Sequence, residues 1–113
     1  MCDKSESLRI RDEAYELCRN VFKDKLTDCY LYGSYARGDY HKDSDVDIMM
    51  VVDLDYHDIA AYDDDIAEVG SNLSLKYDVT VSLKIQPKAV LERYKDILPF
   101  YKNVLMEGLR YDG

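Results

Sequence analysis

The apolar positions change their period along the chain, and each change marks an element. Ile10, Ala14, Leu17, Cys18, Val21 and Phe22 recur at spacings of three and four, which predicts an amphipathic helix over about residues 6–23. Asp28 to Tyr32 is short, aromatic and aliphatic, and reads as a strand that runs into Gly33-Ser34. Asp45 to Val52 predicts a second strand, apolar on both faces after its first three residues, as a central strand would be. Ile59, Tyr62, Ile66, Val69 and Leu73 keep a 3-4-3-4 spacing and define a second helix that tolerates Gly70. From Tyr77 to Ile85 the period is two: Val79, Val81, Leu83 and Ile85 fall on one face of a third strand, with Asp78, Thr80 and Ser82 on the other. Pro87 and Pro99 are each placed to open a helix at its first position, and Gly108 to end the last one.

The order helix, strand, strand, helix, strand, helix, helix predicts an α/β (α+β) fold, a small mixed sheet with helices packed on one face and the other face partly open. The open face is the one carrying Asp78, Thr80 and Ser82, and chemistry is expected there. No linker, repeat or low-complexity tract divides the 113 residues, which read as one domain over 1–113. The longest purely apolar run, Ile48 to Val52, is far short of the roughly 20 residues that span a bilayer, so no membrane partner is expected. The polar start Met1-Cys2-Asp3-Lys4-Ser5-Glu6 lacks the apolar region of a secretory signal, and a cytoplasmic location is the expectation. Cys2, Cys18 and Cys29 have no Cys-x-x-Cys spacing and only His41 and His57 to join them, which argues against a disulfide framework or a zinc site. Fifteen Lys and Arg against 23 Asp and Glu give a net charge of −8. That balance would repel a nucleic-acid backbone, so no nucleic-acid partner is expected, whereas a basic protein or a small metal-bound nucleotide is compatible with it.

The candidate chemistry lies in Gly33-Ser34-Tyr35-Ala36-Arg37-Gly38 and Ser44-Asp45-Val46-Asp47, with ten residues between Ser34 and Asp45. A glycine at a strand end lets the backbone approach a phosphate, and the next residue offers N–H groups and a hydroxyl to the anion, so Ser34 is a phosphate ligand. Arg37, three residues on, lies on the same side of a helical turn, where its guanidinium could bind a phosphate oxygen. The loop is neither a Walker A sequence nor a G-x-G-x-x-G fingerprint. Asp45 and Asp47, two apart on a strand, project from one face with Cα atoms about 6.6 Å apart. Two carboxylates that close repel each other unless they share a hard cation such as Mg²⁺, which keeps waters and completes its shell with substrate phosphates. Asp78, on the polar face of the neighbouring strand, is a candidate third ligand. Three carboxylates could hold two ions, one lowering the pKa of an attacking hydroxyl and one neutralising a leaving pyrophosphate, the arrangement of a nucleotidyltransferase.

Gly33-Ser34, ten residues, then Asp45-x-Asp47, with Ala36-Arg37-Gly38 and Ser44 in place, resembles the nucleotidyltransferase signature of the DNA polymerase β superfamily. Gly-Ser-x10-Asp-x-Asp arises by chance roughly once in a thousand chains of this length. The short chain is similar, more narrowly, to the minimal nucleotidyltransferases (MNT) that pair as antitoxins with HEPN-domain toxins. The resemblance implies that Gly33, Ser34, Arg37 and Ser44 bind a nucleoside triphosphate, and that Asp45, Asp47 and Asp78 are catalytic and hold Mg²⁺. It also implies transfer of AMP from ATP to a tyrosine of the HEPN partner; a homo- or hetero-oligomer is possible, and the sequence does not fix the oligomeric state. Other readings stay open beside it. They are a non-catalytic module that neutralises its partner by occlusion, and nucleotidyl transfer to a small cationic molecule. Gly33-Ser34 can also be only a turn, Asp45 and Asp47 solvated acids, and Asp78 an ion-pair partner of Lys76 or Lys84. Asp63-Asp64-Asp65 reads as a solvated helix face, because consecutive helical residues point apart. Tyr35 or Tyr40 could stack on a base, Met49-Met50 reads as core, and the helix after Pro99 is either an interface or the last piece of core.

Overall fold

Asp3 begins the first helix, α1 (Lys4–Phe22): its carboxylate accepts a hydrogen bond from the Glu6 N–H at 2.8 Å, satisfying a backbone donor that has no partner within the helix. Asp3→Ala is expected to destabilise the protein by about 1 kcal/mol. The check is a lower urea midpoint at unchanged slope. Ile10, Ala14, Cys18 and Phe22 form the buried stripe of this helix, as their spacing predicts.

The structure, a computed structural model, describes residues 2–112. After α1 come β1 (Leu26–Tyr32), α2 (Ser34–Arg37), β2 (Val46–Val52), α3 (Tyr56–Ala60), α4 (Asp63–Tyr77), β3 (Val81–Pro87), α5 (Lys88–Tyr94), α6 (Pro99–Glu107) and β4 (Leu109–Arg110). They build an α+β fold on a four-stranded mixed sheet of order β3-β2-β1-β4. β1 is antiparallel to β2 and β4, and β2 is parallel to β3. A parallel pair needs a crossover, and α3 with α4 supplies it. β2 is central in the sheet, and both of its faces are buried. Val46, Ile48, Met50 and Val52 join the core beneath α1 and α4, while Met49 and Val51 join a second core on the other side.

That second core corrects the expectation of helices on one face only. Leu91 of α5 and Val104 of α6 pack on Met49 and Val51, with Tyr30, Tyr32, Tyr101 and Leu105 around them. A strand apolar on both faces requires cover on both, and α5 and α6 provide it. The helix after Pro99 is thus core through Val104.

The third strand also differs. Tyr77 is the last residue of α4, Asp78 caps it in the left-handed conformation (φ 52°, ψ 47°), and the strand starts at Val81. The alternation from Tyr77 to Thr80 belongs to a helix end, where a short polar side chain tolerates positive φ. The second predicted helix is broken into α3 and α4, and Asp63, Asp64 and Asp65 occupy the exposed first turn of α4, where negative charge suits the helix N-terminus. Pro87 precedes α5 instead of opening it, whereas Pro99 is the first residue of α6. Gly108 ends α6, and a Cβ there would overlap the Val104 carbonyl oxygen. The chain can therefore turn directly into β4, whose two residues are too short for any periodicity to predict.

Candidate functional site

Strand β1 ends at Tyr32, and Gly33 turns the chain into α2 at φ 75°, ψ −154°, a conformation that side chains resist. Ser34 is the first residue of that turn. The Gly33 and Ser34 carbonyls accept from Arg37 N and Gly38 N at 3.1 and 2.9 Å. The opening N–H groups of a helical turn have no partner inside it and are available to an anion. Asp47, the second residue of β2, stands opposite Tyr32 in the sheet. A Cβ on Gly33 would overlap the Asp47 Oδ2 and lie 3.3 Å from its Cγ. The Gly33 turn and the carboxylate therefore touch, and they can do so because residue 33 has no side chain.

Asp45 lies just before β2 and is exposed. Burial raises the Asp47 pKa above the usual carboxylate value, the Asp45 charge raises it further, and the Arg37 charge opposes both. A divalent cation would relieve both of the raising causes. Two neighbouring carboxylates are oxygen donors, which fit a hard cation such as Mg²⁺. Burial and the Asp47 charge also push the Tyr32 hydroxyl up to about 12, so it stays protonated at neutral pH.

The other predicted residues are spread more widely. Asp78 is not on the strand face where alternation had placed it. Residue 82, opposite Asp47 on β3, is a serine, and β3 contains no carboxylate. Among the described residues no group of three His, Cys, Asp or Glu is arranged to hold a metal. Among the described residues the structure does not bring the three expected carboxylates together, and the candidate set that remains is the pair Asp45 and Asp47. Asp78 instead lines a cavity of about 250 Å³ with Lys42, Asp43, Ser44 and Thr80. Ser44 orders its loop, its Oγ accepting from His41 N at 2.9 Å and its N–H donating to His41 O at 3.0 Å. Arg37 pairs with Asp39 at 3.3 Å and approaches Glu107 to 3.9 Å. Tyr35 cannot receive a base: it is completely buried, stacked on Tyr40 at 4.4 Å, and its hydroxyl donates to the Cys2 carbonyl at 3.4 Å.

Sequence reasoning missed Tyr32, Phe100, Asn103 and Glu107, which with Gly33 and Arg37 surround a cavity of about 210 Å³ between the turn and α6. Tyr32 could have been found as the residue before Gly33. The α6 residues carry no local signal, because only the packing of the chain brings that helix over the site.

Comparison with known proteins identifies the family and the fold. A family model described as nucleotidyltransferase domain matches residues 16–112. Two proteins of Methanocaldococcus jannaschii bear the provisional name protein adenylyltransferase. One is 32% identical over 90 residues, covering 80% of this chain and 82% of its own length, and the other 34% over 96 residues, covering 85% and 95%. A chain in the crystal structure of a toxin-antitoxin with AMP-PNP is 26% identical with a TM-score of 0.57, over 88% of this chain and 70% of that one. A chain of the complex between the tri-AMPylated Shewanella oneidensis HEPN toxin and its MNT antitoxin shares the fold, at 21% identity and a TM-score of 0.52, over 92% of this chain and 70% of that one.

Proposed function

This chain belongs to the nucleotidyltransferase domain family, and from that premise we propose that it is a Mg²⁺-dependent enzyme that transfers AMP from ATP to a protein acceptor, a tyrosine of a HEPN-type toxin for which it is the antitoxin. The observation that carries the reading is the contact between the Gly33 turn and the Asp47 carboxylate, with Asp45 beside it. That contact supports a reading in which the turn binds phosphate and the two carboxylates beside it bind a cation. The names of the two archaeal relatives support protein as the acceptor class. The relative solved with AMP-PNP supports ATP as donor, and the AMPylated HEPN toxin of the second complex supports the partner.

In this reading the Ser34 hydroxyl and the N–H groups of α2 bind the triphosphate, and Arg37 adds a positive charge at the same turn. Asp45 and Asp47 would hold Mg²⁺, which when bound neutralises phosphate charge and lowers the pKa of the acceptor hydroxyl. The acceptor oxygen bonds to the α-phosphorus as the bond to the bridging oxygen breaks, pyrophosphate leaves, and the phenol gives up its proton. Incubating the protein with Mg²⁺, α-labelled ATP and its HEPN partner is expected to label the partner, and an unlabelled partner would refute transfer. One feature favours a second reading, occlusion of the partner without catalysis: β3 offers Ser82 where a third carboxylate was expected. Retained neutralisation by Asp45→Asn/Asp47→Asn would support that module.

The raised Asp47 pKa gives two effects of opposite sign. Cation binding needs the carboxylate, so it weakens as pH falls through the raised value. Fold stability behaves the other way: the folded pKa exceeds the unfolded one, so the contribution of Asp47 is present at low pH and lost as pH rises through the folded value. Mg²⁺ is therefore expected to raise the melting temperature progressively less as pH is lowered from 7 through the carboxylate range. An increment that does not fall over that range would remove Asp47 from the cation site.

A further inference from the structure

The cavity between the Gly33 turn and α6 is not used as a pocket in the scheme above, although it shares Gly33 and Arg37 with the phosphate turn. We propose that this cavity is the base subsite of the nucleotide, with Phe100 stacking on a purine ring and Asn103 reading its edge as adenine. The proposal rests on the nucleotidyltransferase reading and supplies the base recognition that reading lacks.

Size decides first. At about 210 Å³ the cavity falls below the roughly 300–1,000 Å³ of pockets that enclose a whole drug-sized ligand, so it suits a single ring system. Position comes next. Gly33 is both a wall of the cavity and the residue before Ser34, so a nucleotide whose phosphates lie on α2 has its base within the reach of one ribose. The larger groove of about 670 Å³ between α4 and β3 includes neither Gly33 nor Asp47, and the polar cavity at Ser44 does not reach Gly33.

The walls carry the chemistry. Phe100 meets Tyr32 edge to face, with centroids 5.7 Å apart and planes at 85°, yet it remains 43% exposed. An aromatic side chain left partly in water on a cavity wall gains cover when a base stacks on it, and stacking of this kind tolerates any base. Selectivity needs a hydrogen-bonding group. Phe100, Asn103, Val104 and Glu107 follow one another at spacings of three, one and three along α6, which puts them on one stripe of the helix. The Asn103 amide offers a donor and an acceptor side by side, matching the amino donor and ring-nitrogen acceptor on one edge of adenine. Guanine presents two acceptors on the corresponding edge and leaves the amide carbonyl unmatched. Arg37 and Glu107, 3.9 Å apart, are the charged residues of the lining and balance each other, which leaves the amide as the selective group.

The test is calorimetric titration of non-hydrolysable ATP, GTP and UTP analogues, and of inorganic tripolyphosphate, into the full chain with Mg²⁺. The variants are Asn103→Ala, Phe100→Ala and Phe100→Leu, which keeps bulk without a π face; thermal melts confirm that each folds. The wild type is expected to prefer the ATP analogue at least about fivefold. Asn103→Ala should reduce that preference to within about twofold, and both Phe100 variants should weaken all three nucleotides at least about fivefold. Tripolyphosphate, which has no base, should bind every variant like the wild type. Unchanged nucleotide affinity and preference in the variants would overturn the base subsite while leaving the phosphate site intact. If those variants then lose only transfer to the protein partner, the cavity receives the acceptor side chain. A wild type that binds neither nucleotide nor tripolyphosphate would overturn the underlying function as well.

Discussion

Asp47→Asn is expected to abolish AMP transfer, by at least about 10³-fold, without lowering the stability of the protein at neutral pH. The two halves have one cause. The carboxylate is half-buried against the Gly33 turn, and both its burial and the neighbouring Asp45 charge work against ionisation. An amide of the same shape removes those costs from the fold, and with them the negative oxygen that a cation needs. Sites held against their own stability in this way are the ones that function maintains. The measurement pairs label transfer to the partner with a thermal melt of each protein in chelator. A variant that transfers at more than a tenth of the wild-type rate would remove Asp47 from the chemistry, and one that melts well below the wild type would show the carboxylate holding the fold together.

Gly33→Ala should damage stability and activity together. The residue sits at φ 75°, where a Cβ is strained, and that Cβ would overlap the Asp47 Oδ2. We expect a loss of about 1–3 kcal/mol in urea unfolding, and a fall in transfer of about 10²-fold as the carboxylate is pushed off the turn. The steric part can be separated from the backbone part. In an Asp47→Ala background the colliding carboxylate is gone, so Gly33→Ala should cost at least about 0.5 kcal/mol less than in the wild type. Equal costs in both backgrounds would leave only backbone strain and would break the link between turn and carboxylate.

Much of this was legible before the fold was known. The stripe from Ile10 to Phe22, the strand ending in Gly33-Ser34, the doubly apolar β2, Pro99 and Gly108 all occupy the places their local pattern predicts. The contact of turn and carboxylate came from the structure, in which β1 and β2 pair antiparallel and bring the end of one to the start of the other. Asp78 shows where period alone misleads. Four residues of alternation look like a strand, but the helix ahead of them runs on to Tyr77, and the aspartate turns the chain out of it. Tyr35 shows the same limit in another form: it is near the Gly33-Ser34 turn in sequence, yet it is buried and stacked on Tyr40.

The sequence by itself determined the elements whose cause is local, together with the Gly33-Ser34 and Asp45-x-Asp47 constellation, because backbone preference and one-sided burial are written in neighbouring residues. Only the tertiary structure decided that α5 and α6 cover the second face of the sheet, that β3 brings Ser82 and not a carboxylate to Asp47, and that Phe100 and Asn103 stand over the Gly33 turn. Those facts depend on how far the chain travels before it packs again: α6 lies some sixty residues beyond the turn it covers. Periodicity says that a face must be buried, and the packing of distant segments determines what buries it.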